Sequence, residues 1–223
     1  MEEKNTVKFK KDEFEVRERI KLEIGKGKVS KVRIEYTPVG EKIIVSTNKP
    51  GLVIGRGGEK IEELTMMLKR DFKLENPHIE IDEIKKPEFD SQLVADDIAL
   101  GLERFGPMKF KVLAYKALQK IMKAGALGCE IRLSGKLPSS RAKTWRFAQG
   151  YLKKTGDSSK AVDKAQAVAG TKPGIVGVKV SIMPPEAVLK DRIKLADSLI
   201  AKLKENEEKA KKPIKSTKKI AKK

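Results

Sequence analysis

The sequence predicts an α+β protein with two folded domains followed by a basic C-terminal tail. Three observations carry that prediction. Apolar residues recur at helical spacing in some segments and alternate at strand spacing in others. A polar break containing a helix breaker, Lys85-Lys86-Pro87-Glu88, divides those segments into two groups. Residues 202–223 hold ten Lys against three Glu and few large apolar side chains, a composition too poor in apolar surface to offset chain entropy.

The first group reads α-β-β-α-α-β. Val16, Ile20 and Ile24 recur every fourth residue, predicting a helix over 11–24 that Gly25 and Gly27 stop. Segments 31–36 and 42–46 alternate, and Thr37-Pro38-Val39-Gly40 joins them as a hairpin. Pro50 opens a short helix that leads into Gly55-Arg56-Gly57-Gly58. A longer helix follows from Glu59 to about Phe72, with Ile61, Leu64, Leu68 and Phe72 on one face. Asn76-Pro77 breaks it, and 78–84 returns as a strand.

The second group predicts helices at 91–104 and 109–123, divided by Gly106-Pro107. Strands are expected at 129–133, near 143–148, near 161–169 and at 176–182, which makes two helices on a mostly antiparallel sheet. An amphipathic helix is expected after Pro184-Pro185, before the Lys-rich end, which is expected to be disordered. The division is therefore 1–86, 87–183 and 184–223. No internal repeat is visible.

Composition narrows the partners. The 223 residues are 39% apolar and 36% charged, and 50 Lys and Arg against 31 Asp and Glu leave a formal net charge of +19. So positive a field favours a polyanion. A spanning helix needs about 20 apolar residues, and no such run exists. The start, Met1-Glu2-Glu3-Lys4-Asn5, lacks the apolar stretch of an export signal, so a cytoplasmic protein is expected. Cys129 is the sole cysteine and His78 the sole histidine, which excludes an internal disulfide and a zinc site built from Cys and His. Cys129 reads as a small buried hydrophobe and His78 as a structural or exposed residue. No cofactor, metal site, small-molecule substrate or membrane partner is expected.

The motif with chemistry is Gly55-Arg56-Gly57-Gly58. Glycines allow close backbone approach and φ > 0. The amides of the following helix N-terminus favour an anion, and Arg56 can add a bidentate phosphate contact. A plain interhelical turn is the competing reading of the loop alone. The dinucleotide fingerprint fails because Lys60 stands where its third glycine would be, and no Gly-Lys-Ser/Thr occurs for a Walker loop.

Ile54-Gly55-Arg56-Gly57-Gly58 followed by Ile61 resembles the G-x-x-G loop of KH domains, which clamps single-stranded nucleotides. The element order resembles their type II arrangement. Wider stretches are more specific: Val32-Arg33-Ile34 to Ile43-Ile44-Val45, Glu63-Leu64-Thr65, Gly125-Ala126-Leu127-Gly128-Cys129-Glu130, Ser134-Gly135-Lys136-Leu137 and Gly177-Val178-Lys179-Val180. Together they resemble the universal S-three family of small-subunit ribosomal proteins, over roughly residues 11–183. The Cys-Glu pair and Arg141-Ala142-Lys143 lean towards its archaeal and eukaryotic branch. The resemblance implies a non-enzymatic, structural protein in the head of the small subunit. It implies binding to ribosomal RNA and to neighbouring ribosomal proteins. It also implies that the chain lines the channel where messenger RNA enters, where basic residues are associated with unwinding.

Three groups of candidate RNA contacts follow. Ile54, Gly55, Arg56, Gly57 and Gly58 form the loop, with Lys60 beyond it. On the second helix of the second domain, Lys109, Lys116, Lys120 and Lys123 share one face and Phe110, Leu113, Ala117 and Ile121 another. Lys111 adds charge to that helix, whereas Val112 and Tyr115 stand where bacterial relatives are often basic, and Leu127 where many relatives carry Lys. A solvated basic face is the plain alternative; the net charge favours RNA. The third group is Lys136, Arg141, Lys143 and Arg146, interleaved with Trp145 and Phe147. Trp145 is read either as a core aromatic or as a base-stacking platform. Asp96-Asp97 is expected to be surface or capping charge, because adjacent carboxylates on a helix point apart. Rival readings are a free KH-type factor in RNA processing or decay, a lyase using a lysine Schiff base, and a peripheral membrane protein. The last two lack an acid/base constellation and a bulky apolar helix face, respectively.

Overall fold

The computed structural model describes residues 2–187, except 39, 73, 75, 139 and 140. The helix and Lys-rich tail expected beyond Pro184-Pro185 lie outside the described residues, apart from a turn closed by Ala187 N–H on Pro184 O.

The first lobe follows the order α1 (Glu2–Ile24), β1 (Val29–Thr37), β2 (Gly40–Thr47), α2 (Pro50–Ile54), α3 (Glu59–Phe72), β3 (His78–Glu83). Helix α1 begins nine residues before the expected 11, because residues 2–10 contain no Gly or Pro to stop helix propagation. Burial begins late along it: Val16, Ile20 and Ile24 enter the core, whereas Val7 and Phe14 stay exposed. β1 and β2 pair antiparallel and β3 adds to β2 in parallel, with Ile43 opposite Ile79 and Val45 opposite Ile81. Alternation sends Val32, Ile43, Val45 and Ile79 to one face, where they meet Ile20 of α1 and Leu64, Met67 and Leu68 of α3. Fully burying a side chain such as Ile20, Ile43 or Leu68 contributes roughly 1.5–3 kcal/mol. The opposite face is charged, with Lys42 and Glu80 paired at 2.7 Å.

The second lobe runs α4 (Ser91–Phe105), α5 (Phe110–Lys123), β4 (Gly128–Gly135), β5 (Lys143–Gly150), β6 (Asp163–Thr171), β7 (Gly174–Met183). Its sheet has strand order β5-β4-β7-β6, antiparallel throughout. α4 lies over β6 and β7, and α5 over β4 and β5. The core between them holds Leu102, Phe110, Leu118, Ile121, Ile131, Leu133, Val178, Val180 and Ile182. Because strands alternate, every second residue of β4, β6 and β7 points to the face that carries no helix. Among the described residues that face is covered only in part, where Leu152, Lys153 and Lys154 line a depression beside Glu130. Cys129 is buried beneath α5, and burial pushes its thiol up to about 12, with Glu130 adding to the effect.

A polar seam joins the two lobes. Asp90 caps α4 by accepting from Gln92 N and Leu93 N, and it also accepts from the Ser30 hydroxyl. Lys31 Nζ lies 2.9 Å from Asp163 Oδ1, while Ser91 N–H and Oγ donate to Asp163 Oδ2. Asp96 corrects the sequence reading. It is buried, 8% exposed, and accepts from Gly27 N at 3.0 Å and Gln92 Nε2 at 3.0 Å. Burial raises its pKa against the lowering effect of those hydrogen bonds. The two adjacent carboxylates do diverge on the helix: Asp97 reaches the surface, and Asp96 turns into the seam, where the Gly27 amide awaits it.

Candidate nucleic-acid interface

The glycine loop stands at a break between two helices. α2 ends as Gly55 N–H closes on Gly51 O, and a single 3-10 turn, Arg56–Gly58, leads into α3. Gly55, Gly57 and Gly58 have φ of 76°, 61° and 92°. A Cβ at Gly57 would meet no atom within 4 Å, so the need for glycine there is conformational and leaves the approach to its backbone open. Arg56 and Lys60 are exposed, and Ile54 and Leu52 leave apolar surface beside the loop. The loop thus offers a guanidinium, a lysine, a helix N-terminus and an apolar flank. Glu59 and Glu62 sit in the first turn of α3 and complement the helix dipole, so the local field is mixed rather than purely positive.

α5 presents Lys111, Lys116, Lys120 and Lys123 to solvent, with Lys109 exposed just before it. Phe110 and Ile121 are buried and Leu113 and Ala117 half-buried, as the spacing predicts. Lys120 also lines a cleft of about 280 Å³ between the lobes, whose other walls include Asn48, Lys49, Glu88 and Asp97. The cleft therefore brings a lysine preceding α2 and one from α5 to a single opening. Val112 and Tyr115 are exposed on the same helix, 65% and 55%, and Tyr115 stands edge-on to Phe147 at 5.1 Å.

The third group of candidates is divided by the sheet. Lys143, Trp145 and Phe147 alternate toward α5, while Arg146 points to the open face. Trp145 is half-buried against the second core, 5.5 Å from Phe110, and both Lys111 and Lys143 lie 4.8 Å from its ring. The core reading fits this packing, with two cations held over the indole. Lys136 and Arg141 are exposed around the β4–β5 connection. His78 is exposed at the start of β3.

On the open face, Glu130 is 3% exposed and binds three cations: Arg132 at 2.5 Å, Arg146 at 2.9 Å and Lys154 at 2.9 Å. Burial alone would raise its pKa, but hydrogen bonds from Arg146, Lys154 and Arg132 outweigh that and hold it at about 2. Lys164 of β6 and Lys179 of β7 share this depression of about 230 Å³. Of these residues the sequence names only Arg146 as a candidate RNA contact, grouped with Arg141 and Lys143, and the strand pairing separates it from Lys143. The missed signal was strand alternation: Glu130 and Arg132 bracket buried Ile131, and Lys179 stands between buried Val178 and Val180.

Comparison with known proteins bears on both lobes. The KH domain family matches residues 15–89, and the family described as "Ribosomal protein S3, C-terminal domain" matches residues 98–182. A KH lobe with an open glycine loop, followed by this second lobe, defines a KH-type RNA-binding protein of the ribosomal class. The small ribosomal subunit protein uS3 of Methanocaldococcus jannaschii is 41% identical over 86% of this chain and 92% of its own length. That of Archaeoglobus fulgidus is 44% identical over 82% of the chain and 79% of its own length, and that of Methanosphaera stadtmanae 42% over 77% and 68%. The chain belongs to the small ribosomal subunit protein uS3 family, a family of structural rather than enzymatic proteins. Among the described residues no helix is long and apolar enough to cross a membrane, and no cluster of His, Cys, Asp or Glu is suited to a metal ion.

Proposed function

We propose that this chain is a cytoplasmic ribosomal protein that holds ribosomal RNA in the head of the small subunit and lines the channel where messenger RNA enters. Neighbouring ribosomal proteins complete its surroundings. The KH lobe, residues 1–86, takes sugar–phosphate backbone at Ile54, Gly55, Arg56, Gly57, Gly58 and Lys60. The second lobe, 87–183, presents the lysine face of α5 and, around the β4–β5 connection, Lys136, Arg141 and Lys143. The remaining residues, 184–223, supply further counterion-releasing lysines.

One observation carries the channel assignment: Lys116, Lys120 and Lys123 emerge together from one side of α5, with Lys120 opening onto the cleft that also contains Lys49. A close row of cations beside a cleft favours a strand of nucleic acid passing along it. The test is site-specific photo-crosslinking from position 116 in assembled small subunits. Crosslinks to messenger RNA downstream of the decoded codon are expected. Crosslinks to ribosomal RNA alone would assign α5 to anchoring instead.

A further inference from the structure

The open face of the second sheet carries charge that the glycine loop and α5 leave unexplained. Arg146 lies opposite Arg132, and Arg132 opposite Lys179, so three cations stand side by side across β5, β4 and β7. Directly opposed like charges destabilise a sheet. In the adjacent row Glu130 is opposite Ser181, which is opposite Lys164. Glu130 is the one carboxylate lining the depression, and it is already shared among Arg132, Arg146 and Lys154. Lys164 and Lys179 are exposed and form no ion pair with a described residue.

The lining also distinguishes between partners. Apart from Leu152 it is polar or charged, whereas protein–protein interfaces have an apolar centre depleted in charge. Phosphates need no such centre. We propose that this face is a second RNA-backbone site, in which Lys164, Lys179 and Arg132 hold phosphates while buried Glu130 fixes Arg132, Arg146 and Lys154 in place. The site rests on the reading that this chain binds ribosomal RNA, and adds a contact on a sheet face separate from the glycine loop and from α5.

The experiment uses the full chain and a small-subunit ribosomal RNA transcript, with affinity measured across a salt series. Wild type, K164Q/K179Q, the charge-keeping K164R/K179R and the loop variant R56E are compared. Loss of two phosphate contacts should make the log–log salt slope shallower by about 1.4 to 1.8 and weaken binding about tenfold at roughly 0.1 M salt. K164R/K179R should bind like wild type, and thermal unfolding of K164Q/K179Q should be unchanged or shifted upward, since a row of like charges has been relieved. Wild-type slope and affinity in folded K164Q/K179Q would overturn the proposal. So would unchanged RNA binding together with lost binding of poly-glutamate, which would make the occupant an acidic protein. A wild-type chain that does not bind the transcript would overturn the RNA-binding reading itself, and an effect of R56E alone would leave the loop as the site and reject the sheet face.

Discussion

Two residues of β4 show how single positions are constrained. Gly128 opens the strand where the chain at Tyr151 crosses it, held by Tyr151 N–H on Leu127 O at 2.8 Å. A Cβ at Gly128 would collide with the Tyr151 backbone carbonyl, which cannot swing aside as a side chain can. Gly128→Ala is therefore expected to destabilise by about 3 kcal/mol or more, read from a lowered urea midpoint; a shift below about 0.5 kcal/mol would show that the crossing is loose. Two residues on, Glu130 sets an acid limit. Its folded pKa of about 2 lies below the ordinary carboxylate value near 4.3, so its pairing stabilises fully above the unfolded pKa and is lost as pH falls toward 2. Its cation partners are about half exposed, which limits the contribution to roughly 1–2 kcal/mol. The stability gap between wild type and Glu130→Gln should be constant near neutral pH and close between about pH 4.5 and 2. A gap independent of pH would mean that the carboxylate's charge is not what stabilises.

At the scale of elements, the helices and strands were legible because their periodicities are strong: Val16, Ile20 and Ile24 in α1, and alternating Ile131 and Leu133 in β4, all reach a core. The loop at Gly55–Gly58 was legible because few residues other than glycine tolerate its backbone. What escaped reading depends on pairing between distant segments. Asp96 looked like surface until the Gly27 amide, 69 residues away, was brought to it. Arg146 looked like a neighbour of Lys143, yet one step along a strand reverses the face, and its companions Arg132 and Lys179 come from other strands. The early start of α1 escaped because its first turns bury little and show no apolar rhythm. Arg56→Glu with Gly57→Asp would place two carboxylates before α3 and repel phosphate there. RNA affinity of the full chain should fall about tenfold or more while thermal unfolding moves little, apart from about 1 kcal/mol for a non-glycine residue at Gly57. Unchanged affinity in the folded variant would make the loop an ordinary turn.

The whole molecule combines two lobes with separate cores, a polar seam and a formal charge of +19. No single basic group accounts for that charge: it is distributed over the glycine loop, α5, the open sheet face and the Lys-rich end of the sequence. A protein of this kind is expected to bind many phosphates at once and to lose affinity steeply with salt. Whether the chain works as a part of the small ribosomal subunit is read from sucrose-gradient sedimentation of native cell extract at low salt, followed with an antibody against the chain. The chain is expected to co-migrate with small subunits and to be released only as salt is raised. Recovery solely in light, RNA-free fractions at low salt would contradict that role.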